Sequence, residues 1–264
     1  MAEWTPQDLA DLRLAHDLLE NPGLAAKLTA LLGSPIEKGL KMLPDSAGRV
    51  ITGATHKALL AATQLAVASM STKDGAARVA RPFLHKLSAA ATGAAGGFFG
   101  LAALPVELPV STTIMLRSIA DIARSEGEDL DTPESRLACL EVFALGGRTE
   151  EDDAADTGYY GLRLALSLPV STAAYHVARK GLVVGDGAPF LVELIHGVAS
   201  RFGIALSEKA AFYTLPVIGA ATGATINMIF LHHFQEMARS HFAVRRLERK
   251  YGADVVRAAY ETLT

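Results

Sequence analysis

The chain has 264 residues, half of them apolar and a fifth charged, with a formal net charge of −3. Such a composition can bury a sizeable core, and its near-neutral balance argues against bulk nucleic-acid binding. A lone Cys139 excludes an intramolecular disulfide and a cysteine-based zinc cluster, which makes a reducing compartment the expected one.

Thr5 followed by Pro6 reads as a helix cap and first-turn proline, and Asn21-Pro22-Gly23 as the stop of that helix. The segment lacks the basic and apolar regions of a signal peptide. Ser34 and Glu37 have capping-box spacing ahead of a short helix that stops at Pro44. An Ala-rich helix is expected over 46–70, and another over 76–96 that runs into the glycines of GAAGGFFG (93–100). Pro105 and Pro109 then bracket Glu107. A proline lacks an N–H and disfavours helical geometry in the residue before it, so the chain is expected to break over 104–108. The helix restarts at Pro109 and runs to Ser125. Thr132-Pro133-Glu134 opens the next one, which Gly146-Gly147 closes after Leu145, and the acidic TEEDDAAD (149–156) reads as a solvated loop. Helices are expected at 157–181, 188–202, 207–214 and 216–250, with a last one from Asp254. No stretch sustains strand alternation. The class is therefore all-α: an Ala/Gly-rich multi-helix bundle with two glycine-rich, proline-interrupted hairpins. Residues 1–44 read as an N-terminal extension packing on a helical domain over 45–264, within a single domain overall.

Residues 87–106 and 210–231 carry no charge, and each run reaches the roughly 20 residues a spanning helix needs. Ala, Gly and Thr contribute little transfer free energy, so buried or reversibly inserting hairpins fit these runs better than stable spans. Both contain glycines four apart, Gly93 and Gly97 in one, Gly219 and Gly223 in the other. That spacing puts two glycines on one helix face and lets a second backbone approach closely.

Glu107 is the candidate site residue with the clearest local logic. Just ahead of a restarting helix, its carboxylate meets free N–H groups and the positive end of the dipole. It is either a satisfied polar plug or a buried acid that acts on a ligand, with Asn227 or His233 its expected partner. Thr113, Arg117 and Asp121 lie four apart on the following helix, so Arg117 and Asp121 can pair. Asn227 and His241 share a stripe on the C-terminal helix, where a buried Asn bridges helices or binds a ligand. His232 and His233 are adjacent and cannot clamp one metal together. Glu193 and His196 form a single ExxH, whereas a di-iron bundle needs two, and no metal site or cofactor is assigned. Arg245, Arg246, Arg249 and Lys250 form a basic run that either ends a solvated helix or rests on anionic headgroups.

Two blocks, LPVELPVSTTIMLRSIADIARSEGEDLDTPESRLACLEVFALGG (104–147) and LPVIGAATGATINMIFLHHFQEMARSHFAVRRLERKYG (215–252), resemble the EcsC family of bacterial proteins. The resemblance covers roughly residues 45–255. It implies a helical protein, cytoplasmic or peripheral on the inner face of the cell membrane, and an association with an ABC transporter linked to secretion. It carries no accepted catalytic residues. The expected function is accordingly a non-enzymatic, membrane-associated protein that binds lipid or a transporter partner through its Gly-rich hairpins. The alternative is a helical hydrolase of lipid-like substrates, with Glu107, Arg117 and His233 around an internal cavity. That alternative needs residues far apart in sequence to converge.

Overall fold

Thr5 caps the first helix as its type and position dictate: its hydroxyl accepts the Asp8 N–H at 3.2 Å, and Pro6 fills the first turn. The computed structural model describes residues 3–32, 36–69, 103–147, 158–180, 189–212 and 220–263. Among them lie ten helices and no strand. These are α1 (Pro6–Glu20), α2 (Leu24–Leu32), α3 (Ile36–Lys41), α4 (Ala47–Ser69) and α5 (Leu104–Ser125), then α6 (Pro133–Leu145), α7 (Tyr159–Lys180), α8 (Pro189–Phe212), α9 (Ala220–Tyr251) and α10 (Ala253–Glu261). The all-α class follows directly. The expected helix over 76–96, the acidic loop and Gly93, Gly97 and Gly219 lie outside the described residues.

Two expected breaks are absent. α5 runs without interruption through Pro109, starting at Leu104 rather than restarting at 109. Pro105 sits in its first turn, where the missing N–H has no intrahelical acceptor, and Pro109 removes only the single bond to the Pro105 carbonyl. Similarly, 188–202 and 207–214 are one helix, α8, because Phe202, Ala205 and Leu206 continue a buried face past Gly203. Tertiary burial outweighs the local cost of a glycine, about 1 kcal/mol, at such a site.

One apolar cluster extends from Leu12 and Leu28 through α4, α5 and α6 to Phe242 and Tyr260. Its centre is a knot of rings, Phe143, Phe202, Phe230 and Phe234, with centroids 4.8–6.1 Å apart in tilted or edge arrangements. α9 is the long central element and packs against α1, α2, α5, α6 and α10. α4 lies on α5 and α8, and α7 on α6 and α8. The two ends of the chain meet. Asp8 accepts hydrogen bonds from Arg246 (3.1 Å), Lys250 (2.6 Å) and Tyr251 (2.7 Å), and Trp4 stacks on Tyr251 with centroids 4.4 Å apart.

Candidate functional site

Glu107 lies in the first turn of α5 and is 6% exposed. Its partner is Lys209 of α8, which is fully buried. The Nζ of Lys209 donates to both carboxylate oxygens, at 3.0 and 3.1 Å, and to Oδ1 of Asn227 on α9 at 2.8 Å. The ammonium also sits 5.0 Å from the centroid of the Phe230 ring, a favourable place for a desolvated cation. All three ammonium hydrogens are thus used, and three helices are tied by one charge pair. Removing the Glu107 carboxylate would strand the cation in the core. Glu107 is buried, but its partner is Lys209 and not Asn227 or His233 as expected; Asn227 shares the same ammonium, and His233 bonds elsewhere.

The other polar candidates go elsewhere. His233 is buried, and its Nε2 donates to the Gly146 carbonyl at 3.0 Å. Burial pulls its pKa down to about 4, so the ring is neutral at pH 7. His241 is buried as well, with Nδ1 2.9 Å from the Tyr159 hydroxyl and Nε2 3.7 Å from Oε2 of Glu141. Burial holds His241 well below its ordinary range and pushes the Glu141 carboxyl up to about 7. Arg117 is exposed and Thr113 half-buried. Asp121 accepts from Arg124, one turn along, at 2.8 Å instead of from Arg117. Glu107, Arg117 and His233 therefore have three separate environments and do not converge. Gly223 is buried within α9.

The basic run is largely engaged inside the protein. Arg245 makes a two-pronged pair with Glu128 at 2.8 and 3.0 Å, and Arg249 donates to the same carboxylate. Arg246 spans Asp8, Asp11 and Glu126, and Lys250 reaches Asp8. Arg163 of α7 pairs with Glu248 in the same forked geometry, at 2.7 and 3.0 Å. The spacing of these four cations suits a headgroup surface, but their partners are acids of α1 and of the α5–α6 turn.

Two surface features remain. A half-open cleft of about 320 Å³ lies between α4 and α8, lined among others by Thr52, His56, His196, Ser200 and Ser207. None of Glu107, Arg117 or His233 lines it. On α7, Leu164 and Leu168 are 70% and 71% exposed, and Tyr175 57%. The four-residue step and the further seven place these on one helical face. Ser167 and Ser171 beside them turn their hydroxyls back onto the Leu164 and Leu168 carbonyls, at 2.7 and 3.1 Å. Their donors are thereby satisfied within the helix. Among the described residues, no three His, Cys, Asp or Glu side chains converge as a metal site.

Comparison with curated proteins and with solved structures finds no match. The profile of the EcsC protein family matches residues 12–247, from the middle of α1 to the last turns of α9. Of the two blocks that carry the sequence resemblance, the one holding Glu107 lies wholly within that span, and the one holding Asn227 lies within it up to residue 247. The chain belongs to the EcsC protein family.

Proposed function

We propose that this chain is a non-enzymatic, membrane-associated helical protein that rests on a lipid surface through the α7–α8 pair. The observation that carries the reading is the stripe of Leu164, Leu168 and Tyr175 on α7. α7 bears no Asp, Glu, Lys or Arg between Arg163 and Arg179, and the serines among its exposed leucines bond their own helix. An exposed helical face with its hydroxyls turned inward has little to offer water and much to offer acyl chains. The stripe runs over twelve residues, Leu164 to Tyr175, a rise of about 16 Å, which suits a helix lying in the interface rather than crossing it.

α8 supports the same face. It packs antiparallel to α7, since the His176 and Phe190 rings stack at 3.9 Å while Leu166 faces Gly197. Val192 on α8 is 59% exposed. Residues Phe190–Phe212 have a mean hydropathy of 1.4 over their most apolar window, of which 44% is buried. A core helix meets the same length and composition test, so α8 adds to the stripe without replacing it. Arg179, bonded to the Tyr175 hydroxyl at 2.5 Å, lies at the end of the stripe, where a basic and an aromatic group meet headgroups. A membrane-protein partner, such as a transporter subunit, is the competing occupant of the same face.

Flotation with phosphatidylcholine vesicles, with and without anionic lipid, tests the reading. Wild-type protein should float with vesicles and be released by carbonate, and Leu164→Asp/Leu168→Asp should lose most of the floated fraction. Both leucines are exposed, so the variant should fold and melt like the wild type. Equal flotation of the two proteins would reject this face. Absence of flotation by the wild type would reject lipid and leave a protein partner.

A further inference from the structure

We infer that His56 of α4 and His196 of α8 form a two-imidazole site for a transition-metal ion of the Cu²⁺, Ni²⁺ and Zn²⁺ group. The inference is independent of the membrane reading, because it rests on the cleft between α4 and α8. The two rings face each other across that cleft, with centroids 6.4 Å apart and planes inclined by 28°. Two imidazoles that share one ion, with metal–nitrogen bonds of about 2.0–2.1 Å, place their ring centres roughly 4.5 Å apart in a cis pair and roughly 6.5 Å apart in a trans pair. The observed separation lies at the wide end of that range. Because the ring planes are stacked, both side chains must turn about their torsions to aim one nitrogen each at a shared ion.

The rest of the cleft fits such an ion. His196 is exposed and His56 half-buried, so the ion can enter from solvent. Thr52 precedes His56 by four residues and Ser200 follows His196 by four, so each imidazole has a hydroxyl one turn away on its own face. Ser200 donates its proton to the Gly197 carbonyl at 3.0 Å, which leaves its oxygen lone pairs available to metal-bound water. Gly48 and Gly203 also line the cleft, and a Cβ at either would meet nothing within 4 Å. The space for a hydrated ion is there. Imidazole nitrogen with oxygen donors selects borderline metals over Mg²⁺ and Ca²⁺, which prefer an all-oxygen shell. The ExxH pattern of Glu193 and His196 points to this histidine for a different reason from the one that matters. Its partner is on another helix, and Glu193 is exposed.

Because each histidine belongs to a different helix, the ion would clamp α4 to α8 and stabilise the folded chain. The test is calorimetric titration of the full chain with ZnCl₂, NiCl₂, CuCl₂ and MgCl₂, paired with thermal melts. One equivalent of Cu²⁺, Ni²⁺ or Zn²⁺ should bind and raise the melting temperature, whereas Mg²⁺ should do neither. His56→Ala and His196→Ala should each weaken binding at least tenfold and abolish the thermal shift. His232→Ala, at an exposed histidine beside Glu236, should leave both unchanged. Since His196 is exposed, its substitution should not disturb folding, and the apo melting temperature checks that. Binding that survives either cleft variant, or is lost only in His232→Ala, overturns the site. So does absence of binding by the wild type.

Discussion

Lys209 changes what substitutions at Glu107 should do. A carboxylate satisfied by backbone N–H groups tolerates Glu107→Gln, because shape and acceptor survive. Here the carboxylate neutralises a fully buried ammonium, and the amide leaves that charge uncompensated. Breaking a buried pair costs about 3–5 kcal/mol, whereas replacing both partners with apolar groups of similar size is often neutral or better. We therefore expect Glu107→Gln and Lys209→Met to destabilise strongly in urea unfolding, and Glu107→Leu/Lys209→Met to recover most of the loss. A near-neutral Glu107→Gln would contradict a stabilising role for the buried pair. The buried residues His233 and Glu141 should show opposite pH behaviour. The folded pKa of His233, about 4, lies below its ordinary 6.5, so its contribution is present above pH 6.5 and lost as the pH falls towards 4. His233→Asn can keep a donor for the Gly146 carbonyl without titrating, so its stability should fall less on acidification, by up to about 3 kcal/mol. The Glu141 pKa, about 7 in the folded chain, lies above the ordinary 4.5, so its contribution is present below pH 4.5 and lost as the pH rises through 7. Glu141→Gln should accordingly gain on the wild type at pH 8 relative to pH 5. Parallel pH–stability curves for variant and wild type would contradict either assignment.

At the scale of elements, the glycines that matter are those facing another backbone or ring. A Cβ on Gly146 would lie 2.9 Å from Nε2 of His233 and against the Phe234 ring. One on Gly147 would press on the Arg201 carbonyl, and one on Gly39 would lie 2.5 Å from the Ala211 carbonyl. Gly146→Ala should cost about 1–3 kcal/mol through overpacking, and Gly147→Ala more, since a backbone yields less than a side chain. Gly53→Ala and Gly203→Ala, where a Cβ meets nothing within 4 Å, should be neutral or stabilising. Melting temperatures of the four variants check the order. These contacts also show what the sequence exposes and what it hides. The Thr5 and Thr132 caps and the stop at Gly146 are local chemistry and can be read along the chain. The continuity of α5 and α8 is not local, because it depends on faces buried by other helices. Gly146 and Gly147 read as a helix stop, but their tight crossing with α8 and α9 is tertiary. Lys209 did leave a trace: it is the lone Lys or Arg between Arg201 and Arg239, and Glu107 is the lone acid between Asp74 and Asp121. An acid isolated in an apolar helix and the one cation of a long basic-free stretch, although Glu208 stands beside that cation, are natural partners, a signal that helix-by-helix reading passes over.

For the whole molecule, the arrangement of charge and apolar surface separates two regions. Around α1, α10 and the end of α9, acids and bases interlock: Asp8 with Arg246 and Lys250, Glu128 with Arg245, and Glu20 with the Tyr159 N–H and the Tyr260 hydroxyl. Opening that region would expose many charges together, so it should stay closed on a lipid surface. The exposed face of α7 has no such network between Arg163 and Arg179. A labelling experiment distinguishes them. Cys139 is fully buried and its thiol is held well above the ordinary range by desolvation, so it should not react in the folded chain. Leu168→Cys and Leu14→Cys each introduce one accessible thiol, since the two leucines are 71% and 61% exposed. With an environment-sensitive dye attached, the α7 position should shift to the blue on adding anionic vesicles, and the α1 position should not. Shifts at both sites would mean that the protein opens on the membrane instead of resting on it. Shifts at neither would place the lipid contact, if flotation finds one, away from α7. Salt should weaken the response only modestly, because the stripe is apolar and Arg179 supplies one of the few cations beside it.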